Sequence, residues 1–283
     1  MRKIVFIAAL LLSFFASHPL LAQGEAQQNP YHQIDSLMNG FFKLLERATE
    51  EDKCAEVDFL ISTCQDSLTR QHIALKIFDH YRDSYVMGDE NVAIYVYDKW
   101  FESGKVSFMG EMDRMDAEMY VRFNRQSLIG CEAPSLVLRK PCCGTKSIPV
   151  RGHTSVLFFF DTQCEKCRIV ASLMPKVMKT VDFEVDLCMI YCGSDGRAWR
   201  QFRRAFKIDN KKVRVSHLWD PELDSNYPLK YSVIGTPRIY CIEPQGTIIG
   251  RRLEIDSLLE LLKYAGAIQA TYDKYAEVED YTQ

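Results

Sequence analysis

The chain has 283 residues, of which 47% are hydrophobic, and a formal net charge of −3 at pH 7. This length suggests one or two domains with a sizeable core. A near-neutral chain lacks the positive charge typical of nucleic-acid-binding proteins, and scattered Lys and Arg residues do not predict binding to an anionic membrane surface.

The first 22 residues have the layout of a secretory signal peptide. Arg2 and Lys3 precede an apolar run from Ile4 to Ala16, and Ala22 fits the cleavage position. The run is shorter than the roughly 20 residues that a membrane-spanning helix needs. We therefore expect residues 1–22 to be removed and the mature protein to be periplasmic or otherwise extracytoplasmic, where disulfides persist. The alternative is an uncleaved anchor, which would hold the protein at a membrane.

Residues 23–127 are predicted to form a small α-helical domain. Apolar residues recur at helical spacing between Ile34 and Leu45. Breaks are expected at Gly88–Asp89 and at Ser103–Gly104. The further predicted helices cover residues 53–65, 68–84, 89–103 and 111–127.

Residues 128–270 are predicted to form an α/β domain, followed by a tail at 271–283. Ser155–Phe160 is a short apolar run typical of a buried strand, and apolar residues then recur at helical spacing up to Val181. The order is strand, helix, strand, helix, strand, hairpin, helix, which predicts a central mixed sheet flanked by helices. The later elements are a strand at 183–191, a helix face at 199–206, a strand at 213–219, a hairpin at 234–253 and a helix at 255–265.

Cys164 and Cys167 form a Cys-Glu-Lys-Cys motif between the first of these strands and its helix. A helix N-terminus has unpaired N–H groups and a positive dipole end, which favour a thiolate. We expect Cys164 to be exposed and activated, Cys167 to be inward, Lys166 to stabilise the thiolate and Glu165 to oppose it. With ten cysteines in the chain, a chance pair at this spacing is also an open interpretation.

A metal site is the other interpretation of the pair, and it needs a second set of ligands. Cys188 and Cys192 are four apart within a predicted strand, and Cys142 is adjacent to Cys143. Neither spacing is usual for zinc, so no metal is predicted.

Residues from about 128 to 269 resemble a thioredoxin-fold domain of the TlpA/ResA-like group of exported thiol-disulfide oxidoreductases. The resemblance covers about half the chain, and its elements occur in a fixed order. They are the entry segment 128–134 (Leu-Ile-Gly-Cys-Glu-Ala-Pro), the strand, the Cys164–Cys167 motif and its helix, Asp220-Pro221-Glu222, the Gly235-Thr236-Pro237 loop and the closing hairpin.

This resemblance implies a function and a set of roles. Cys164 would attack and Cys167 would resolve, Pro237 would follow a cis peptide bond, and Thr236 would present backbone groups to an extended substrate. The partners would be protein thiols and disulfides, with a membrane or exported redox partner. No cofactor is expected beyond the Cys164–Cys167 disulfide. The alternative is a non-catalytic thioredoxin-fold binding module whose helical domain recruits partners.

Several positions depart from the patterns of related proteins. Gln163 stands where many thioredoxin-like proteins have Trp, and Phe158 and Val170 stand where thioredoxin and ResA-type proteins have an acid. Asp161 or Glu165 could assist proton transfer instead, although a solvated loop role suits Asp161 equally. The peroxiredoxin pattern also fails, since the positions that should be Pro and Thr are Leu157 and Asp161.

The remaining cysteines give weaker predictions. Cys192 ends a strand at the edge expected to carry the redox pair, so it is either a third thiol near the site or a semi-buried residue at the end of its strand. Cys142 or Cys143 could reach Cys131, and Cys54 and Cys64, on neighbouring predicted helices, could bridge or remain free. Cys188 and Cys241 are expected to be buried, inert thiols.

Overall fold

The computed structural model describes the backbone of residues 31–280 and the side chains of residues 31–270. The predicted signal peptide lies outside the described residues. Within them, no helix combines the length and apolar character needed to cross a bilayer. The chain divides into two compact units between Val121 and Arg122, whereas the boundary expected from the sequence lies between residues 127 and 128.

The first unit is helical, as the apolar spacing predicts. Two of its helices begin at side-chain caps: Thr49 accepts a hydrogen bond from the Asp52 N–H (3.2 Å), and Asp66 accepts one from the Thr69 N–H (2.7 Å). Gly88, with φ +97°, precedes the fourth helix at the predicted break. The helices are α1 (His32–Leu45), α2 (Glu50–Thr63), α3 (Ser67–Arg82), α4 (Asp89–Val96), which continues into a π-helical turn (Tyr97–Glu102), and α5 (Glu111–Asn124).

The second unit contains a mixed seven-stranded sheet with helices against it, in agreement with the predicted fold class. The strand order is β2-β1-β5-β4-β3-β6-β7, with β3, β4 and β5 parallel and the other pairs antiparallel. The elements are β1 (Leu136–Arg139), β2 (Thr145–Ile148), β3 (Thr154–Phe160), α6 (Glu165–Lys179), β4 (Val185–Tyr191), α7 (Gly196–Ala205), β5 (Val213–Trp219), α8 (Tyr227–Lys230), β6 (Arg238–Ile242), β7 (Ile248–Gly250) and α9 (Ile255–Asp280).

The central strands explain why the sequence has continuous apolar runs there. All seven residues of β3 and all seven of β4 are buried, as expected for parallel strands covered on both faces. Alternate residues of β3 face two different cores. Phe158 packs with residues of α6, α7 and α9, while Phe159 packs with Tyr227 and Tyr231 on the other face.

The parallel strands also determine where the Cys164–Cys167 motif lies. Phe160 is level with Tyr191, and Tyr191 is level with Trp219, so the carboxyl ends of β3, β4 and β5 meet at one edge. The motif follows Phe160 directly and therefore lies at this edge.

Helix α9 is attached to the start of β3 through Gln269. Its side-chain oxygen accepts hydrogen bonds from the Thr154 N–H (2.9 Å) and hydroxyl (3.2 Å), and its amide donates to the Gly152 carbonyl (3.1 Å). The helix continues over residues 271–280, which were expected to form part of a tail.

The Gln269→Leu variant is expected to destabilise the second unit by about 1–3 kcal/mol. Leucine leaves the Thr154 N–H and the Gly152 carbonyl without their partner in a buried place. Urea denaturation followed by circular dichroism measures the change. Lys263→Gln on the exposed side of the same helix is the control and should change stability by less than about 0.5 kcal/mol. Equal stability of the two variants would contradict this account of the helix attachment.

Candidate redox site

Cys164 is the N-cap residue of α6. Its sulfur accepts a hydrogen bond from the Cys167 backbone N–H (3.1 Å), as a Ser or Asp side chain does at other helix starts. The loop before it is also fixed, because Asp161 accepts hydrogen bonds from the backbone N–H of Gln163 (2.9 Å, side chain) and of Cys164 (3.3 Å, carbonyl). The sulfur of Cys164 is therefore held at the positive end of a helix.

The two cysteines differ in exposure as predicted. Cys164 is partly exposed, whereas Cys167 is 1% exposed and packs in the core with Val170 and Met174. Of the two thiols, only Cys164 can therefore reach a disulfide that approaches from solvent.

The loop before β6 lies directly against Cys164. The Thr236–Pro237 peptide bond is cis, as predicted, and the Thr236 carbonyl accepts a hydrogen bond from the Cys164 thiol (3.5 Å). Thr236 and Pro237 are both partly exposed beside the sulfur. A second cis peptide, Ile148–Pro149, was not foreseen, because nothing in the sequence distinguishes it from an ordinary X–Pro bond.

The two thiols have opposite shifts in pKa. Two effects favour a higher pKa at Cys164: burial, which is the largest single cause, and the negative charge of Asp161. Hydrogen bonds with the Cys167 thiol, the Cys167 backbone and Thr236 outweigh them together, so the net result is a lowered pKa. Burial raises the pKa of Cys167 to about 11. A hydrogen bond with the Asp161 backbone and another with the Thr236 side chain oppose this rise. The outer cysteine is thus the more acidic thiol of the pair and the better candidate for the attacking thiolate.

The two charged residues between the cysteines lie in solvent. Lys166 pairs with Glu254 (2.8 Å), and both side chains are exposed, so this pair is well screened. Glu165 is exposed in the first turn of α6. Neither is a main cause of the shift at Cys164, where the opposing charge comes from Asp161. Tuning by Glu165 and Lys166 stays a prediction.

No acid lies behind Cys167 at the positions where related proteins have one. Phe158 is fully buried and Val170 is 5% exposed, both in the apolar core around Cys167. The charge of Asp161 raises the pKa of Cys164, Cys192 and Tyr227, whereas at Cys167 its backbone hydrogen bond lowers the pKa. From the sequence alone, Asp161 could either lie near the cysteines or point into solvent from its loop.

Cys192 lies close to the site but on the other face of the sheet. Its backbone N–H donates to the Phe160 carbonyl (2.8 Å), and the charges of Cys167 and Asp161 act on it. Its side chain packs with the core that contains Phe159, whereas Cys167 packs with the core that contains Phe158. Burial raises the pKa of Cys192 to about 12, so it is a poor nucleophile.

All ten cysteines are free thiols in the structure. Of the two alternatives for Cys54 and Cys64, the bridge is wrong and the free thiols are found, because Cys54 lies in α2 and Cys64 directly follows that helix. Ten residues of helix separate them by about 15 Å, far more than a disulfide spans. Among residues 31–270, no group of three or more His, Cys, Asp and Glu side chains is placed to hold a metal ion.

Comparison with known proteins identifies the fold. A thioredoxin-like protein from Bacteroides caccae superimposes with a TM-score of 0.63 at 14% identity, covering 91% of this chain and 92% of that chain. The chain has a thioredoxin-like fold. No protein-family model matches the sequence, and no curated protein matches it.

Other solved structures match about half of this thioredoxin-like chain. The thioredoxin domain of a thiol-disulfide oxidoreductase from Bacteroides vulgatus has 17% identity and a TM-score of 0.41, covering 48% of this chain and 96% of that chain. A thiol-disulfide oxidoreductase from Bacteroides fragilis has 18% identity and a TM-score of 0.38, covering 47% and 98%.

The Thr236→Val variant is expected to raise the pKa of Cys164. It removes the hydroxyl that lowers the pKa of both thiols and keeps the backbone carbonyl. The pH dependence of iodoacetamide alkylation at Cys164 measures the effect: the midpoint should move to higher pH, and the rate at neutral pH should fall.

The matched control is Thr162→Val in the neighbouring loop. The Thr162 hydroxyl lies 3.4 Å from the Tyr191 hydroxyl and is not among the groups that shift either thiol. Its alkylation profile should stay with that of the unmodified protein. An unchanged midpoint in Thr236→Val would show that the hydroxyl does not stabilise the thiolate.

Proposed function

We propose that this protein is an extracytoplasmic thiol-disulfide oxidoreductase that exchanges the Cys164–Cys167 pair with protein substrates. One observation carries the proposal: the partly exposed Cys164 has a lowered pKa, the buried Cys167 has a raised one, and Thr236–Pro237 lies against the sulfur of Cys164. A purely structural pair of buried thiols would need neither opposite pKa shifts nor one sulfur that is open to solvent.

In the reducing direction, the reaction has two steps. The Cys164 thiolate attacks a substrate disulfide, which forms a mixed disulfide and releases one substrate thiolate. Cys167 then loses its proton and attacks the Cys164 sulfur. This forms the Cys164–Cys167 disulfide and releases the second substrate thiolate. The substrate gains two electrons, the pair loses two, and an exported or membrane-bound dithiol partner restores them. The oxidising direction is the reverse.

Thr236 supports substrate binding in this scheme. Its position beside Cys164 leaves the partly exposed loop available to an extended segment of substrate, with Pro237 fixing the direction of the backbone. Main-chain hydrogen bonds to such a segment would be independent of its side chains.

The second step needs a proton acceptor, because the pKa of Cys167 is about 11. The apolar Phe158 and Val170 cannot serve. Asp161 is the carboxylate whose charge acts on Cys164, and its backbone forms a hydrogen bond with Cys167, so we assign this role to it. Water can carry the proton between the two groups.

Export is supported by the signal-like first 22 residues. It also fits the chemistry, since disulfides persist outside the cytoplasm.

The absence of an acid behind Cys167 favours a second candidate. With Phe158 and Val170 there, exchange could be slow enough for the protein to act as a thioredoxin-fold binding module, with the helical unit recruiting partners.

Cys167→Ser is expected to accumulate mixed disulfides on Cys164. Attack needs only Cys164, whereas release needs the missing resolving thiol. Non-reducing electrophoresis of the variant, recovered from the exported fraction, should show a ladder of covalent partners that thiol reductant removes.

The matched control is Cys164→Ser, which leaves only the buried Cys167 and should show almost no ladder. Equal ladders from both variants would contradict the assigned roles. No ladder from either variant would favour the binding module.

Asp161→Asn is expected to separate the two steps. Removing the charge that opposes the Cys164 thiolate should leave attack at neutral pH unchanged or faster. Release of the substrate by Cys167 should slow by about 100-fold, which is the lower end of the rate enhancement that a general acid or base provides. Stopped-flow mixing with a fluorescent disulfide peptide resolves both steps, and release should recover as pH rises toward the pKa of Cys167 because thiolate then forms without help.

Glu165→Gln is the control, since it removes a neighbouring exposed carboxylate. It should leave release unchanged. A release rate in Asp161→Asn equal to that of the control would remove Asp161 from the mechanism.

A further inference from the structure

Helix α7 and the chain after it carry a concentrated positive charge. Residues 196–214 contain eight basic side chains and one acidic one, a formal charge of +7 in a chain whose total is −3. The description of Lys and Arg as scattered is therefore wrong for this segment. The sequence signal for this charged surface was the spacing of the arginines, which lie three and four residues apart within a short helix.

Three arginines of α7 share one exposed face. Arg197, Arg200 and Arg204 are three and four residues apart, so they lie on one side of the helix. Trp199 is buried and Phe202 is partly buried on the opposite side, both in the core. Together with Gln201 and Ala205, the three arginines line a surface depression of about 510 Å³. We call these three residues the arginine face.

The charge of this face is offset in part by one exposed carboxylate, Asp195, whose pKa is lowered by backbone hydrogen bonds from Ala198 and Arg197 and then by the charges of Arg197 and Arg200. Lys212 and Arg214, further along the segment, pair with Glu184 (3.6 Å) and Asp186 (3.0 Å). Asp195, at the start of α7, accepts hydrogen bonds from the backbone N–H of Arg197 (2.8 Å) and Ala198 (3.2 Å). Among the described residues, no carboxylate forms a direct ion pair with the arginine face.

A second depression extends the positive surface on the other side of α7. It has a volume of about 720 Å³ and contains Lys140, Arg203, Arg204 and Lys207 but no carboxylate. His217, which also lines it, has a pKa lowered to about 4 by burial and by Arg203 and Lys207, so it stays neutral. Helix α7 thus contributes arginine side chains to both depressions.

The arginine face is connected to the redox site through a few side chains. The Thr162 hydroxyl, in the loop before Cys164, lies 3.4 Å from that of Tyr191, whose ring stacks on Trp199 at 6.4 Å between centroids. Phe160 packs on Phe202 at 4.5 Å. Both contacts join the redox loop to the buried side of α7.

We propose that the arginine face binds acidic segments of the disulfide-containing substrate proteins and so selects acidic substrates. This inference rests on the proposed function and names its substrate class. A concentrated field beside a reactive group raises the local concentration of oppositely charged partners and their association rate. Guanidinium groups suit the task, since they bind carboxylates through paired hydrogen bonds.

An acidic protein segment fits this surface better than an anionic lipid surface does. None of the exposed large apolar side chains among residues 31–270 lies between residues 196 and 214, so nothing there would insert into a bilayer. Proximity to the redox loop also favours a substrate, because a segment bound there can carry its disulfide to Cys164.

The test compares two synthetic peptides that contain the same disulfide, one flanked by glutamates and one by glutamines. The rate constant of mixed-disulfide formation at Cys164 is measured by stopped flow. At 0.01 M ionic strength, we expect the acidic peptide to react about tenfold faster or more. The difference should shrink at 0.15 M, where the Debye length falls from about 30 Å to about 8 Å.

The variant Arg200→Glu/Arg204→Glu should abolish the preference for the acidic peptide. Both side chains are exposed, so the fold should tolerate the change. Lys176→Glu/Lys179→Glu is the control: it makes the same change in net charge at exposed positions near the C-terminal end of α6. It should keep the preference. Loss in both double variants would indicate an effect of total charge and overturn the proposal, as would a preference that survives in both.

Two further measurements separate this proposal from the proposed function. Bis(2-hydroxyethyl) disulfide is neutral and should react equally with all three proteins; no reaction would refute the oxidoreductase and leave the binding question to the next measurement. That measurement is fluorescence anisotropy of a cysteine-free acidic peptide, whose affinity should fall about tenfold in Arg200→Glu/Arg204→Glu. Binding to phosphatidylglycerol vesicles without binding to the peptide would overturn the proposal in favour of a lipid surface.

Discussion

The hydrogen bond from the Cys167 backbone N–H to the Cys164 sulfur is the contact on which the site depends. It makes a thiol the cap of α6 and places that sulfur where the helix N-terminus stabilises negative charge. It also orients the second cysteine, because the residue three positions after the cap lies on the buried side of the first turn. One contact therefore gives both the activated thiol and the protected one.

The sheet holds this contact in place. Strands β3 and β4 are buried along their whole length, and their parallel register brings Phe160 and Tyr191 level at the edge where the redox loop begins. Strand β6 is antiparallel to β3, with Arg238 opposite Phe159. The residues just before β6 therefore return to the same edge, which is why Thr236 meets Cys164 although 72 residues separate them.

The sequence predicted the parts of this arrangement that follow from local pattern. The apolar run at Ser155–Phe160 and the helical spacing after Cys167 were sufficient for the strand, the helix and the position of the pair. The cis bond before Pro237 came from the family resemblance, since no local pattern predicts it. The position of Asp161 could not be derived, because a loop carboxylate three residues before Cys164 can face either solvent or the sulfur. Gln269 was also missed, because its buried hydrogen bonds to Thr154 join residues 115 positions apart.

Short-range and long-range electrostatics act on different steps in this protein. The lowered pKa of Cys164 comes from hydrogen bonds with Cys167 and Thr236, and the arginines of α7 are not among its main causes. Hydrogen bonds act over about 3 Å and are little affected by salt, whereas the field of the arginine face extends over a Debye length and is screened by it. Reactivity at the sulfur and selection of the partner are therefore separable. A change in the arginines should alter which disulfides arrive without altering how Cys164 attacks them. Replacing the Thr236 hydroxyl alone, which keeps the main chain proposed to bind substrate, should alter the attack without altering which disulfides arrive.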